Sequence, residues 1–466
     1  MRNLPLPLWQ SLIFGLIAVS TSIVSGQIGA VGYCNQFGHG KIRTSQEYSQ
    51  LNSEVPNSLS LAWNLKVGNG RSQVVGNEKE IFITSSIGQE TEDKTMARMT
   101  TQRIDVATGK PTWTHETSSK LHSNQETFQS EDATPQATPA LTESKLITIS
   151  FTGELICLRR NDGKLQWQRN LVQDFGARPT QYGFASSPFI DPTDQSRVYI
   201  LAGGETGGLF CLNISDGTVV WKSPCDSSSY ATPVPAEFGD VNQIVVESEN
   251  EVMGISKSNG TQLWKYEFAQ KGQTNAATPL VIDRSRLLIS GNGCNGTRCL
   301  SITGLNGQWQ INEKWHIPNL KFIYTNWVKL PFGIVVGCTD KFLAAVNVND
   351  GNIMGRWRGY YHGNVTAVGP SLFALGGRGK LTVFDSEEAL AEGIFIDGEY
   401  DVLAARCWVP ISVVGDRIFV RGDDQLTCLK RNSSIDPLKN TLKSPKYLTL
   451  DQKDPPSTRV ASAERD

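Results

Sequence analysis

One recurring pattern constrains this chain more than any other feature. Gly109 is followed by Trp113, Gly163 by Trp167, Gly217 by Trp221 and Gly260 by Trp264, each Trp four residues after its Gly. In the last three copies Asp162, Asp216 and Asn259 stand directly before the Gly. Weaker copies are Asn306-Gly307 with Trp315, and Asp350-Gly351 with Trp357. The tryptophans recur about every 40–55 residues, the period of a propeller blade or a solenoid. Each unit also opens alike, with Ala137-Thr138-Pro139, Ser186-Ser187-Pro188, Ala231-Thr232-Pro233 and Ala277-Thr278-Pro279. Between opening and ending lie short β-branched runs such as Lys145–Ser150, Arg197–Leu201 and Arg286–Ser290, which read as strands. Only Ser386–Glu392 shows a brief helical period.

The unit therefore predicts four short antiparallel strands. Asp-Gly and Asn-Gly supply positive φ angles for a tight turn between the third and fourth strands. Trp on the fourth strand offers a large flat surface to the next unit. Pro at the start of the first strand suits an edge beside a central channel, where no ladder donor is needed. Six units carry Trp113, Trp167, Trp221, Trp264, Trp315 and Trp357. A seventh, degenerate unit runs from about Gly363 to Val402, and an eighth from Arg406 to about Arg431 lacks its last strand. The leading segment Ser60–Leu65 supplies that strand, with Trp63 on it. The expected fold is all-β: an eight-bladed β-propeller of four-stranded antiparallel blades over 60–431, its ring closed by the N-terminal strand pairing into the last blade, which removes two free edges.

Composition narrows function. With 44 Lys+Arg against 46 Asp+Glu, the net charge of −2 argues against a nucleic-acid binder that depends on a basic surface. The 5 His show no metal-site spacing. Arg2, the apolar run Leu12–Val24 and the small residues Ser25-Gly26 predict a secretory signal peptide over 1–26. Residues 27–59 read as a linker and 432–466 as a flexible polar tail. Cys34 follows the bulky Tyr33, which is wrong for a lipoprotein box, so the chain is expected to be exported to the periplasm or beyond without a lipid on Cys34.

The repeated Gly-x-x-x-Trp ending around a ring resembles the PQQ-like β-propeller repeats. That superfamily includes the quinoprotein alcohol dehydrogenases and the BamB-like outer-membrane assembly factors, and the resemblance covers about 60–431. In the dehydrogenases a disulfide of adjacent cysteines lies over the quinone, a Trp stacks below it, and acidic and amide side chains hold Ca²⁺. This sequence has no adjacent Cys pair and no Cys-x-x-Cys-His. The BamB-like members imply a non-catalytic role. The expectation is a scaffold that binds other envelope proteins and needs no cofactor or metal. Two alternatives stand beside it: a PQQ- and Ca²⁺-dependent oxidoreductase, and a polysaccharide-binding propeller using Trp327, Trp408, Tyr360 and Tyr361.

Nine Cys in an exported chain invite disulfides. Cys157, Cys211, Cys299 and Cys428 share a column with Gly254, Ala345 and Val383, which argues for small buried positions rather than bridges. Cys294 and Cys299, flanking Asn295-Gly296, are the best candidate disulfide. The scattered carboxylates, Asp162, Asp216 and Asp350 among them, read as turn formers. His115 and His122 fall in a polar insertion, Thr114–Glu131, and read as solvated loop residues. That insertion, Ser85–Thr101 and Leu171–Tyr182 exceed what a hairpin needs and are expected to carry a partner surface. No catalytic constellation is discernible.

Overall fold

Turn signals at blade intervals force the chain back on itself every few residues, and the outcome is eight four-stranded antiparallel sheets among the described residues. The computed structural model describes residues 59–431 except 87–94, 123–133, 181, 205–207, 273–274, 331–332, 369–370, 386–395 and 404. The expected signal peptide, most of the expected linker, Cys34, the expected tail and the stretch Ser386–Glu392 read as helical lie outside the described residues. Blades 1 to 7 span 75–120, 140–170, 189–224, 234–267, 280–317, 327–358 and 364–401. Blade 8 takes three strands from 412–431 and its fourth from Leu59–Lys66. Leu59 pairs with Arg431 and Lys66 with Gln425, so the first described strand closes the ring antiparallel to the last described one.

The hairpins are tighter on one residue than the sequence suggested. Gly109, Gly163, Gly217, Gly260 and Gly351 have φ between 70° and 77°, whereas the residue before each (Thr108, Asp162, Asp216, Asn259 and Asp350) does not. A single left-handed Gly ends a four-residue loop, closed by Gly163 N–H donating to Arg159 C=O and Gly217 N–H to Asn213 C=O. The acidic residue caps the turn instead: Asp216 Oδ1 accepts from the N–H and hydroxyl of Thr218 at 2.9 and 2.7 Å.

Glycine is required here for a second reason. A Cβ on Gly163 would lie 2.6 Å from the Trp113 ring, one on Gly217 2.8 Å from Trp167, and one on Gly109 2.6 Å from Trp63. Each Trp thus lies flat on the hairpin of the following blade. Its Nε1–H donates to a carbonyl just beyond that blade's third strand: Trp63 to Val106, Trp113 to Arg160, Trp167 to Ile214, Trp221 to Lys257 and Trp315 to Val348. Two tryptophans depart. Trp264 turns onto its own blade, where Nε1–H donates to Gln243 Oε1 at 2.7 Å, and a Cβ on Gly307 in the following blade's hairpin would meet no indole and nothing else within 4 Å. Trp357 sits two residues further along its strand, pairing with Leu343.

The cysteine column faces these tryptophans. Cys157 pairs with Trp167, Cys211 with Trp221, Cys299 with Trp315 and Cys428 with Trp63, while Gly254 pairs with Trp264. Blade 1 departs from the column: there Arg103 pairs with Trp113, although that indole also docks on the next blade. The bridge expected between Cys294 and Cys299 is not formed, and both are buried free thiols. They serve opposite faces of blade 5: Cys294 packs with the blade 4 core and Cys299 with the blade 6 core. Burial pushes the Cys157 thiol up to about 12 and Cys299 to about 11.

The histidines are not loop residues in solvent. His115 lies on the strand Pro111–Lys120, half-buried, and burial lowers its pKa. His122 Nε2 is 2.9 Å from Thr152 O. Leu171–Phe175 forms a short helix, α1, capped by Asn170 and Gly176, with Leu171 and Phe175 buried between blades 2 and 3.

Candidate binding site at the channel mouth

Strand order places the start of every first strand at one end of the ring and every Gly hairpin at the other, because the four strands alternate in direction. At the first end lies a cavity of about 480 Å³ over the central channel. Its wall is built by the residues just before successive first strands.

The Thr-Pro and Ser-Pro openings do more there than remove a donor. The hydroxyl before each Pro accepts a backbone N–H from the preceding blade. Gln73 N–H donates to Thr138 Oγ1 at 3.0 Å, Thr138 N–H to Ser187 Oγ at 2.9 Å, Ser187 N–H to Thr232 Oγ1 at 3.4 Å and Thr232 N–H to Thr278 Oγ1 at 3.1 Å. Thr278 N–H continues the belt to Asn326 Oδ1 at 3.0 Å. Across the closure, Gln73 Nε2 donates to Ile411 O at 3.0 Å and Ser412 Oγ to Val74 O at 2.7 Å. Buried N–H groups that a propeller's inner edge would otherwise orphan are satisfied this way.

Above this belt stand aromatic rings. Tyr182 and Tyr230 meet edge to face at 6.0 Å on the blade 3–4 side. On the opposite side His362 is flanked by Tyr361 at 4.0 Å, Trp408 at 5.4 Å and Tyr324 at 5.8 Å. The guanidinium groups of Arg71 and Arg406 lie over the Trp408 ring at 4.8 and 4.9 Å. Arg406 is also paired with Asp423 at 2.9 Å. Among the described residues no Asp or Glu lines the cavity.

The four aromatics named from the sequence divide two and two. Trp327 is buried, its Nε1–H donating to Thr278 O at 3.1 Å and its ring against Phe322. Tyr360 is buried, with its hydroxyl 3.1 Å from Thr382 Oγ1. Tyr361 and Trp408 are exposed at the mouth. Sequence reading missed Arg71, Tyr182, Tyr230 and Tyr324. The available signal was their place: Tyr230 and Trp408 stand three and two residues before Pro233 and Pro410. α1, the strand ends next to 87–94 and the segment entering 123–133 come to this same end of the ring, by the same alternation of strands. The repeat residues Gly109, Trp113, Asp162, Gly163, Trp167, Asp216, Gly217, Trp221, Asn259, Gly260, Trp264, Asp350, Gly351 and Trp357 do not line the cavity.

Among the described residues one carboxyl and one guanidinium group are fully buried and do not line the cavity. Glu247, between blades 4 and 5, has no hydrogen-bond partner on either carboxyl oxygen, and burial raises its pKa well above the ordinary 4.5. Arg421, between blades 8 and 1, donates from Nη1 to Ser72 O and Oγ at 2.9 and 2.7 Å, and from Nη2 to Ser85 Oγ at 3.0 Å. Burial pulls its pKa down to about 9.

The sequence matches the family described as outer membrane protein assembly factor BamB over residues 57–203 and 180–319 of 466, more than half the chain. No curated protein matches it. Among solved structures, BamB from Moraxella catarrhalis superposes with a TM-score of 0.53 at 14% identity, covering 81% of this chain and 99% of that one. Quinohemoprotein alcohol dehydrogenase from Comamonas testosteroni superposes with a TM-score of 0.51 at 11% identity, covering 84% and 79%. At such identities the likeness is one of fold. The channel does not fit the Ca²⁺-bound quinone of the dehydrogenases. Ca²⁺ seeks carboxylate oxygens. The described lining offers hydroxyls, amides and a guanidinium, and no group of three His, Cys, Asp or Glu among the described residues is placed to hold a metal.

Proposed function

The chain belongs to the family of the outer membrane protein assembly factor BamB, and on that premise we propose that it is an exported, non-catalytic propeller that docks other proteins at the cell envelope. The docking face is the one that carries the channel mouth. One observation supports this most directly. The exposed large aromatic residues among those described are Tyr182, Tyr324, Tyr361 and Trp408, and all four gather at that mouth. Exposed aromatics grouped on one face are the composition of an interface, not of an inert surface. The Gly hairpins at the other end serve blade-to-blade packing.

A photo-crosslinking amino acid at Tyr361, compared with one at exposed Leu165 beside a Gly hairpin, tests the face. The expected result in intact cells is a discrete adduct from position 361 and none from position 165. Adducts from 165 alone would refute the mouth as the docking face. Calorimetric titration of the mature protein with PQQ and Ca²⁺ tests the class. The expected result is no saturable heat; stoichiometric binding would make the protein an oxidoreductase.

A further inference from the structure

We propose that the channel mouth receives the carboxylate end of a partner polypeptide, its terminal residues lying along the aromatic rim. The inference rests on the docking role above and names the chemistry of the docked segment. Its first support is the donor bias of the belt. The hydroxyls of Thr138, Ser187 and Thr232 each accept a neighbour's N–H, so each keeps its own proton to donate into the cavity. Asn326 accepts through Oδ1 and keeps its amide N–H groups. Three adjacent blades thus offer O–H donors, and the described lining contains no carboxylate to repel an anion. Arg71 brings a guanidinium into the same wall. Capture of a chain-terminal carboxylate by such converging donors is an established recognition mode.

The second support is the state of Trp408. Guanidinium groups already lie over its ring, so it holds cations at the mouth. The third is extent. The cavity, about 480 Å³, falls in the range of roughly 300–1,000 Å³ that takes a ligand. Tyr361 is 55% exposed and lies outside the cavity wall, against His362. An occupant that covers Tyr361 must continue out of the cavity and over the rim, as a chain does and a free acid does not.

The test uses two forms of one short synthetic peptide ending in Ser-Tyr-Phe, a free acid and a C-terminal amide, titrated calorimetrically into the full mature chain. The free acid is expected to bind at least about tenfold more tightly than the amide, the contribution of one charge-assisted contact. Arg71→Gln should remove that difference, Arg71→Lys should restore part of it, and Tyr361→Ser should weaken both forms equally, with circular dichroism confirming the fold of each variant. Equal binding of acid and amide, or binding of neither, overturns the inference. So does phenylacetate binding as tightly as the peptide, or cellohexaose binding in its place. If neither peptide binds while the position 361 adduct persists, the carboxylate inference fails and the docking role stands. If the adduct is also absent, both fail.

Discussion

Gly163 and Gly307 adopt nearly the same backbone, φ 70° and 78°, but only Gly163 lies beneath an indole. Gly307→Ala is therefore expected to cost only the left-handed strain, about 1–2 kcal/mol. Gly163→Ala should cost a further ~1–3 kcal/mol, because its Cβ overpacks Trp113. Chemical denaturation of both variants measures the difference, and equal costs would mean that the indole contact contributes nothing. Glu247 provides a residue-scale prediction of opposite kind. Its folded pKa is raised, so the folded protein keeps a proton that the unfolded chain releases. Stability from this group is fully present below about 4.5, the unfolded value. It then falls by about 1.4 kcal/mol per pH unit as pH rises toward the folded value, and levels off above it. Glu247→Gln removes the titration. The variant should gain on the native protein between pH 5 and pH 8, and an unchanged difference across those unfolding midpoints would show that Glu247 finds a partner in solution.

At the scale of elements, the blade is legible in sequence where one residue type does one job. Gly-x-x-x-Trp marked the third-to-fourth-strand hairpins because no other residue tolerates both the positive φ and the ring above it. The small column opposite Trp was legible in blades 2, 3, 4, 5 and 8, whereas blade 1 places Arg103 opposite Trp113. The register was not legible. In all eight blades the fourth strand carries a bulge against the third at this point, as between Cys157 and Leu158 or Cys211 and Leu212. The bulge shifts the register beside Trp, whichever way the indole turns, and has no residue signature of its own. The mouth was hidden for another reason: its residues are contributed singly by blades far apart in sequence. Thr138, Ser187 and Thr232 were read for the Pro that follows them, although each hydroxyl ties two blades together. The Trp dock yields a prediction here. Trp221→Phe keeps the ring over Gly260 but removes the indole N–H that donates to Lys257 C=O. The expected loss is about 1–3 kcal/mol. The same change at Trp167 should cost less, because Ile214 O also accepts from Lys145 Nζ at 3.0 Å, and the same denaturation measures the difference.

The whole ring depends on one seam whose two sides come from opposite ends of the sequence. Trp63 pairs with Cys428 and docks on Gly109, while Arg421 and Gln73 bond across blades 8 and 1. At every other seam the chain itself passes from one blade to the next, so a loosened contact leaves the blades tethered. Here the strand Leu59–Lys66 is joined to blade 8 only by pairing and packing. Trp63→Ala and Trp167→Ala delete like side chains with like contacts, and each should cost about 3–5 kcal/mol of packing. Their consequences should nevertheless differ in kind. In Trp63→Ala the closing strand can leave as a unit, exposing the edge of Gln425–Arg431 and opening the ring below the global unfolding free energy. In Trp167→Ala blades 2 and 3 have no such route, and stability should fall across the molecule. Native-state hydrogen exchange separates the two. Amides of 59–66 and 425–431 should lose protection together in Trp63→Ala while blades 3 to 6 keep theirs, and Trp167→Ala should show no such selective loss. A uniform loss of protection in Trp63→Ala would mean that the closing strand does not open independently and that the ring unfolds only as a whole.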